Sequence, residues 1–261
     1  TLVLLTGGID LSVGSVLAVA CMAAAYLTTD TTGMPVIVAF IAGIGAGALF
    51  GLLNGFGIAY IGFAPFIMTM ATLSAARGIA LVSTNNRPIF NLSRSFINVS
   101  NSIYLGLPSL VYFFLIVSIL AFILTRKTVF GKWIYAVGGN QTAAKYSGIN
   151  VEKVKMIIYM IMGSLSGLTG VLMASRITSG NPTVGEGYEL DAIAACVIGG
   201  VSMSGGAGSV IGTVIGVLIL GVISNGFDIL GISSNYQRIM KGLVILLAVF
   251  IDIRSRSRKS N

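Results

Sequence analysis

Little in this sequence can do covalent chemistry. Histidine, the side chain whose charge changes nearest neutral pH, is absent. Cys21 and Cys196 each lie inside an apolar stretch, where a thiol reads as a small packing residue rather than as half of a disulfide or a metal ligand. No Gly-x-x-x-x-Gly-Lys-Ser/Thr phosphate loop occurs, so any nucleotide chemistry must sit on another chain. A membrane enzyme is disfavoured by the missing histidine and by the lack of paired carboxylates within apolar segments. What remains is polar recognition. Asp10 precedes Ser12 at the start of an apolar run and is placed to cap that helix and favour its positive end. Glu189 and Asp191 stand at another helix start, where they read either as caps or as part of a gate or docking surface. Asn54 and Asn225 are polar groups inside apolar runs, where hydrogen bonding to a neighbouring helix is the default. Arg87 and Arg94 fall in a loop. They either pair with carboxylates of a docking protein or sit solvated among lipid headgroups. Asp228 reads as a solvated residue at a helix end, and Arg77, within an apolar run, as a side chain that snorkels to the surface.

The elements that must carry these residues are membrane helices. Of 261 residues, 55% are hydrophobic and only 9% charged, against about 25% charged in a typical soluble domain. The 34 glycines suit closely packed transmembrane helices. A span needs roughly 20 mostly apolar residues. Eight stretches qualify: 11–28, 34–60, 64–84, 104–125, 156–176, 188–204, 209–226 and 238–253. Residues 1–9 read as the end of an earlier helix, and an apolar start without Met predicts that the natural chain extends further. The fold class is all-α and polytopic, with residues 1–253 as one transmembrane domain and 254–261 as a basic tail.

The cations orient it. Residues 126–155 hold Arg126, Lys127, Lys132, Lys145, Lys153 and Lys155 against Glu152 alone, and the tail holds Arg254, Arg256, Arg258 and Lys259. Both are expected in the cytoplasm, and 176–191, with Glu186, Glu189 and Asp191 against Arg176, outside. The net charge of +8 therefore reads as membrane orientation, not nucleic-acid binding. An even number of crossings must then separate 191 from 237, and the Gly205-Gly206-Ala207-Gly208 turn divides that stretch into two short spans. The segment 188–204 is a poor free-standing helix and is expected beside a translocation path. Gly47-x-x-x-Gly51-x-x-Asn54-Gly55 echoes Gly212-x-x-x-Gly216 followed by Asn225-Gly226. The echo marks either a repeated half or shared composition.

The segment from Gly138 to Ile149 is the most informative. Asn140 is a suitable N-cap, Gln141 to Ser147 can form two turns of helix, and Gly148 is a suitable stop. Thr142-Ala143-Ala144, three residues, Gly148, nine residues, Ile158 resembles the coupling motif of ABC importer permeases, with Thr in place of the motif's Glu and without its later Leu-Pro. Gly8-Ile9-Asp10-Leu11-Ser12-Val13-Gly14-Ser15, Ser147-Gly148-Ile149-Asn150-Val151 and Tyr188-Glu189-Leu190-Asp191-Ala192-Ile193-Ala194-Ala195 together resemble the ribose/xylose/galactose branch of bacterial ABC sugar permeases. The likeness covers essentially the whole chain.

That resemblance implies a bacterial inner-membrane permease with roughly ten spans of ~20 residues in the full chain. It implies a second permease subunit, expected to be identical, a cytoplasmic ATPase carrying ATP and Mg, and a periplasmic sugar-binding protein. The permease itself would bind no cofactor and hydrolyse nothing. Coupling to the ATPase would fall to Asn140, Gln141, Thr142, Ala143, Ala144, Lys145, Ser147 and Gly148, where both alanines would fit a partner's groove. Docking of the binding protein would fall to Arg87, Arg94 and Glu186, and the sugar's path to Asn54, Glu189, Asp191 and Asn225. A permease for a nucleoside, a furanosyl signal or a branched-chain amino acid shares this layout. An ion-coupled carrier is the other rival, though such carriers more often hold ionisable groups at mid-membrane.

Overall fold

The computed structural model describes residues 1–233, 235–237, 239, 240, 242, 243 and 246. Most of the expected span 238–253 and all of the tail 254–261 lie outside the described residues. The described elements are α1 (Leu2–Leu5), α2 (Val13–Leu27), α3 (Val36–Phe56, continued by a wider π turn over Gly57–Ile61), α4 (Pro65–Val82), α5 (Arg94–Asn101), β1 (Ile103–Tyr104), β2 (Leu107–Pro108), α6 (Ser109–Lys127), α7 (Val129–Gly139), α8 (Gln141–Tyr146), α9 (Val151–Arg176), α10 (Tyr188–Ile198) and α11 (Val210–Ile229). They fall into two compact units.

One unit comprises Asp10–Val117 and Glu152–Glu189. Glycine builds its centre. Gly47, Gly51, Gly163 and Gly167 bring α3 against α9, and a Cβ at any of them would overlap the opposing backbone. Here small residues let backbones touch, which is how helices gain contact where lipid supplies no hydrophobic drive. Around this seam Cys21, Ala24, Ala25, Ala39, Leu92, Phe96, Val171 and Ala174 form a core. Pro65 opens α4, where its fixed φ suits the first turn and its missing N–H costs nothing. The amphipathic α5 is pinned to α9: the Ser175 hydroxyl donates to the Phe96 carbonyl at 2.8 Å and the Ser100 hydroxyl to the Leu172 carbonyl at 2.9 Å.

The other unit comprises Thr1–Ile9, Ser118–Val151 and the chain from Leu190 onward. Thr128 caps α7 and Ser209 caps α11, each side chain accepting from a glycine N–H at 3.0 Å. The Gly199 and Gly216 positions admit no Cβ against α11 and α10 respectively. The glycine turn has positive φ at Gly205, Gly206 and Gly208. It is held by the Gly206 N–H donating to the Leu5 carbonyl and by the Tyr135 hydroxyl donating to the Gly208 carbonyl, both at 2.9 Å.

Five described helices are long and apolar enough to cross a bilayer: Val36–Ile61, Pro65–Val82, Ser109–Lys127, Val151–Arg176 and Val210–Ile229. Val13–Leu27 is a shorter apolar helix. The multi-pass, all-helical expectation holds, but 188–204 does not form a span. Its helix stops after 11 residues, about 16 Å against a core of about 30 Å. The physical cause is a left-handed Gly200, φ 79°, closed by Gly200 N–H to the Val197 carbonyl and Val201 N–H to the Cys196 carbonyl. The two short crossings expected between 191 and 237 are thus one half-length helix and one full-length helix. The span expected over 104–125 starts later, at Ser109, because Ile103–Tyr104 and Leu107–Pro108 pair as a hairpin. The segment 126–155, expected as a loop with one short helix, also contains the whole of α7.

Candidate functional site

The two candidate regions sit in different units. The first is built on α8. Asn140 is extended, with φ −158° and ψ 105°, and its Oδ1 accepts from the Ala143 N–H at 2.9 Å, so it caps a helix of only six residues. At the other end Gly148 takes φ 83°. Its N–H donates to the Lys145 carbonyl at 3.0 Å and that of Ile149 to the Ala144 carbonyl at 3.1 Å, a paired closure that satisfies two carbonyls of the last turn. Lys145 in the last turn suits the negative helix end. A helix this short would not persist alone in water, so these closures at both ends are what define it.

The same turns decide which side chains are offered outward. Asn140, Gln141, Thr142, Ala143, Lys145, Ser147 and Gly148 are exposed, whereas Ala144 is only 4% exposed. The expectation that both alanines present themselves to a partner is therefore corrected. Ala143 faces out, and Ala144 faces the chain's own interior. Tyr146 was not among the expected residues and is 89% exposed. A lone aromatic beside a lysine at a helix end leaves no periodic pattern to mark it.

The second region is a directed chain of polar side chains. The Thr72 hydroxyl donates to Asn54 Oδ1 at 2.5 Å, Asn54 Nδ2 donates to the Ser12 hydroxyl at 2.9 Å, and that hydroxyl donates to the Asp10 carboxylate at 2.6 Å. Asp10 also accepts from the Ser12 N–H at 2.9 Å. Asp10 therefore holds the residue that begins α2 rather than capping the helix itself, since Ser12 occupies the N-cap position. Asn54 is 1% exposed and joins α3 to α4 and to the entry of α2. This is the interhelical geometry of the two readings given for it.

Arg77 does not snorkel. Its guanidinium donates to the carbonyls of Pro182 at 2.7 Å and Val184 at 3.1 Å, with the carboxylates of Glu186 and Glu189 close enough to act on it. It clasps the segment between α9 and α10. Glu189 is half-buried, and a Cβ added at Gly14 would crowd its carboxylate. Arg87, Arg94 and Glu186 are exposed. The loops carrying Arg87 and Glu186 are stitched together where Ile89 and Gly180 exchange two N–H to carbonyl bonds of 2.8 Å. Asp191 is half-buried on α10 and Asn225 exposed on α11.

Comparison with known proteins covers nearly the whole chain. Residues 1–249 match the family profile described as branched-chain amino acid transport system / permease component. The ribose import permease protein RbsC of Bacillus subtilis (strain 168) is 46% identical over 254 residues, 97% of this chain and 78% of the relative. The ribose import permease protein RbsC of Escherichia coli (strain K12) is 42% identical over 265 residues, 97% of this chain and 79% of the relative. The D-allose transport system permease protein AlsC of Escherichia coli (strain K12) is 39% identical over 249 residues, 95% of this chain and 76% of the relative. No solved structure matches significantly.

Proposed function

The chain belongs to the family described as branched-chain amino acid transport system / permease component, and from that premise we propose that it is the membrane-spanning subunit of an ATP-driven importer that carries a sugar, ribose foremost, across the bacterial inner membrane. The observation that carries the reading is the 46% identity, over 97% of the chain, to a permease named for ribose import. A relative named for allose transport supports the sugar class more broadly. A second reading, a branched-chain amino acid as cargo, stands in the family's description, but the sugar-named relatives do not favour it.

In this mechanism the permease does no bond chemistry. ATP and Mg sit on a separate cytoplasmic ATPase, and a second, identical permease subunit completes the path. The ATPase grips the exposed face of α8, comprising Asn140, Gln141, Thr142, Ala143, Lys145, Ser147 and Gly148, with Tyr146 as an added contact. Ala144 supports that face from beneath. When ATP closes the ATPase, it must bind one arrangement of the permease better than the other. Only that difference in affinity shifts the populations. A periplasmic sugar-binding protein docks on Arg87, Arg94 and Glu186 and supplies the affinity for the cargo. Glu189 in one unit and Asp191 and Asn225 in the other are proposed to meet the cargo, and Asn54 braces α2, α3 and α4. A neutral sugar needs hydroxyl-bonding groups and water along its way rather than a charged relay.

The test is uptake by vesicles reconstituted with the permease, its ATPase and its binding protein. Labelled ribose should accumulate only with ATP and all three components, stop with vanadate, persist with uncouplers, and compete with unlabelled ribose but not with leucine. Competition by leucine alone would move the cargo to the second reading. Accumulation without the ATPase would remove the importer mechanism altogether.

A further inference from the structure

Among the described residues, the β1–β2 hairpin carries the most exposed large apolar side chain. Leu105 is 97% exposed, with Ile103 at 70% and Leu107 at 45%. Leu105 and Gly106 hold φ of 48° and 79°, the paired left-handed turn that asparagine, aspartate and glycine usually fill. A leucine there is a poor turn residue, and its chain leaves it almost wholly uncovered. We propose that this hairpin is an interfacial anchor, inserting Ile103, Leu105 and Leu107 into the lipid headgroup and upper acyl layer at the N-terminal end of α6.

Position supports this. The 19 residues of α6 span about 28 Å, close to the roughly 30 Å of a hydrocarbon core. Arg126 and Lys127 mark one headgroup layer at its C-terminal end, so Ser109 lies at the other. The Tyr112 hydroxyl, in the first turn of α6, donates to the Tyr104 carbonyl at 2.7 Å. Helical side chains lean toward the N-terminus, so this bond lays the hairpin beside the mouth of the span rather than out in solvent. Tyrosines are favoured at that depth, and both Tyr104 and Tyr112 are there.

Chemistry selects lipid over a protein partner. No residue from 95 to 125 carries a charge, so the hairpin offers nothing for electrostatic docking, unlike Arg87 and Arg94. All four strand residues are exposed, so both faces of the ribbon are bare. A folded partner would cover one face, whereas a fluid layer covers both. The backbone of the strands is already paired with itself, Ile103 with Pro108 and Tyr104 with Leu107, which lowers the cost of leaving bulk water.

The test uses the full permease complex in liposomes. Trp133 is the single tryptophan of these 261 residues, so the emission gained by Leu105→Trp over the otherwise identical Trp133→Phe complex reports from the hairpin. Bromine-labelled acyl chains should quench its emission, aqueous iodide should not, and adding binding protein should change neither. Quenching by iodide without quenching by bromolipid would overturn the proposal. So would shielding from iodide that appears only with the binding protein, because the hairpin would then be a protein contact. Leu105→Cys bearing a nitroxide gives an independent reading, since Cys21 and Cys196 are buried. Greater collision with oxygen than with a water-soluble nickel complex is expected, and the reverse order would sink the anchor.

Discussion

Asn140 and Asn54 are the same residue type doing opposite jobs. Asn140 closes the start of an exposed six-residue helix with one bond to the backbone, and the side chains after it point outward. Asn54 lies 1% exposed between helices, with its carbonyl accepting from Thr72 and its amide nitrogen donating to Ser12. The difference separates a handle from a brace. A surface meant for a partner turns its side chains outward, whereas a brace spends its bonds between the helices of its own chain and stays hidden. Polarity inside an apolar sequence says only that one of these is present.

The sharpest break of the comparison is within α8 itself. Ala144→Arg forces a long cation into a site that is 4% exposed, and should cost several kcal/mol. It should therefore appear as lost folded yield in detergent. Ala143→Arg, one residue earlier but exposed, should leave thermal unfolding within about 0.5 kcal/mol of the parent while abolishing uptake and leaving ATP hydrolysis uncoupled. Equal behaviour of the two variants would erase the distinction between the faces of α8.

Next in size is Asn54→Ala. Interhelical bonds within membranes average about 0.6 kcal/mol and reach about 1.7, whereas stranding a buried polar group costs about 1–3 kcal/mol. Ser12 keeps Asp10 as its acceptor, so only Thr72 is stranded, and the net loss should be about 1–2 kcal/mol, read as a lower unfolding temperature. If stability held while ribose uptake alone fell, Asn54 would instead belong to the passage. Asn140→Ala should cost about 1 kcal/mol of local helix stability, visible as faster amide exchange over 141–147 and as partial loss of coupling. The smallest structural effect is expected for Arg87→Glu, an exposed change within about 0.5 kcal/mol. Uptake should need more binding protein to saturate, with a weaker dependence on salt. An unchanged saturation curve would take Arg87 off the docking surface.

The helical, multi-pass class was legible because apolar runs of span length are a strong signal, and the Asn140 cap and Gly148 stop were legible because their chemistry is local. Other features depended on contacts the sequence does not display. Periodicity alone cannot say that Ala144 turns inward, because a six-residue helix is too short to show a face. The end of α10 at Gly200 was visible only as a Gly-Gly pair inside an apolar run, and hydropathy outweighed it. The Asp10–Ser12–Asn54–Thr72 chain joins residues up to 62 positions apart, and Thr72 carried no mark of its own. Arg77 was read from its apolar neighbours as a snorkelling cation, but the nearby carbonyls of Pro182 and Val184 hold it in place.

The handle can be tested directly by thiol accessibility at Tyr146, which is 89% exposed. A membrane-impermeant maleimide applied to the Tyr146→Cys permease should label it from the cytoplasmic side, and bound ATPase should protect it. Labelling from the periplasmic side, or labelling at the same rate with and without the ATPase, would contradict the assignment of α8 as the point where the motor takes hold.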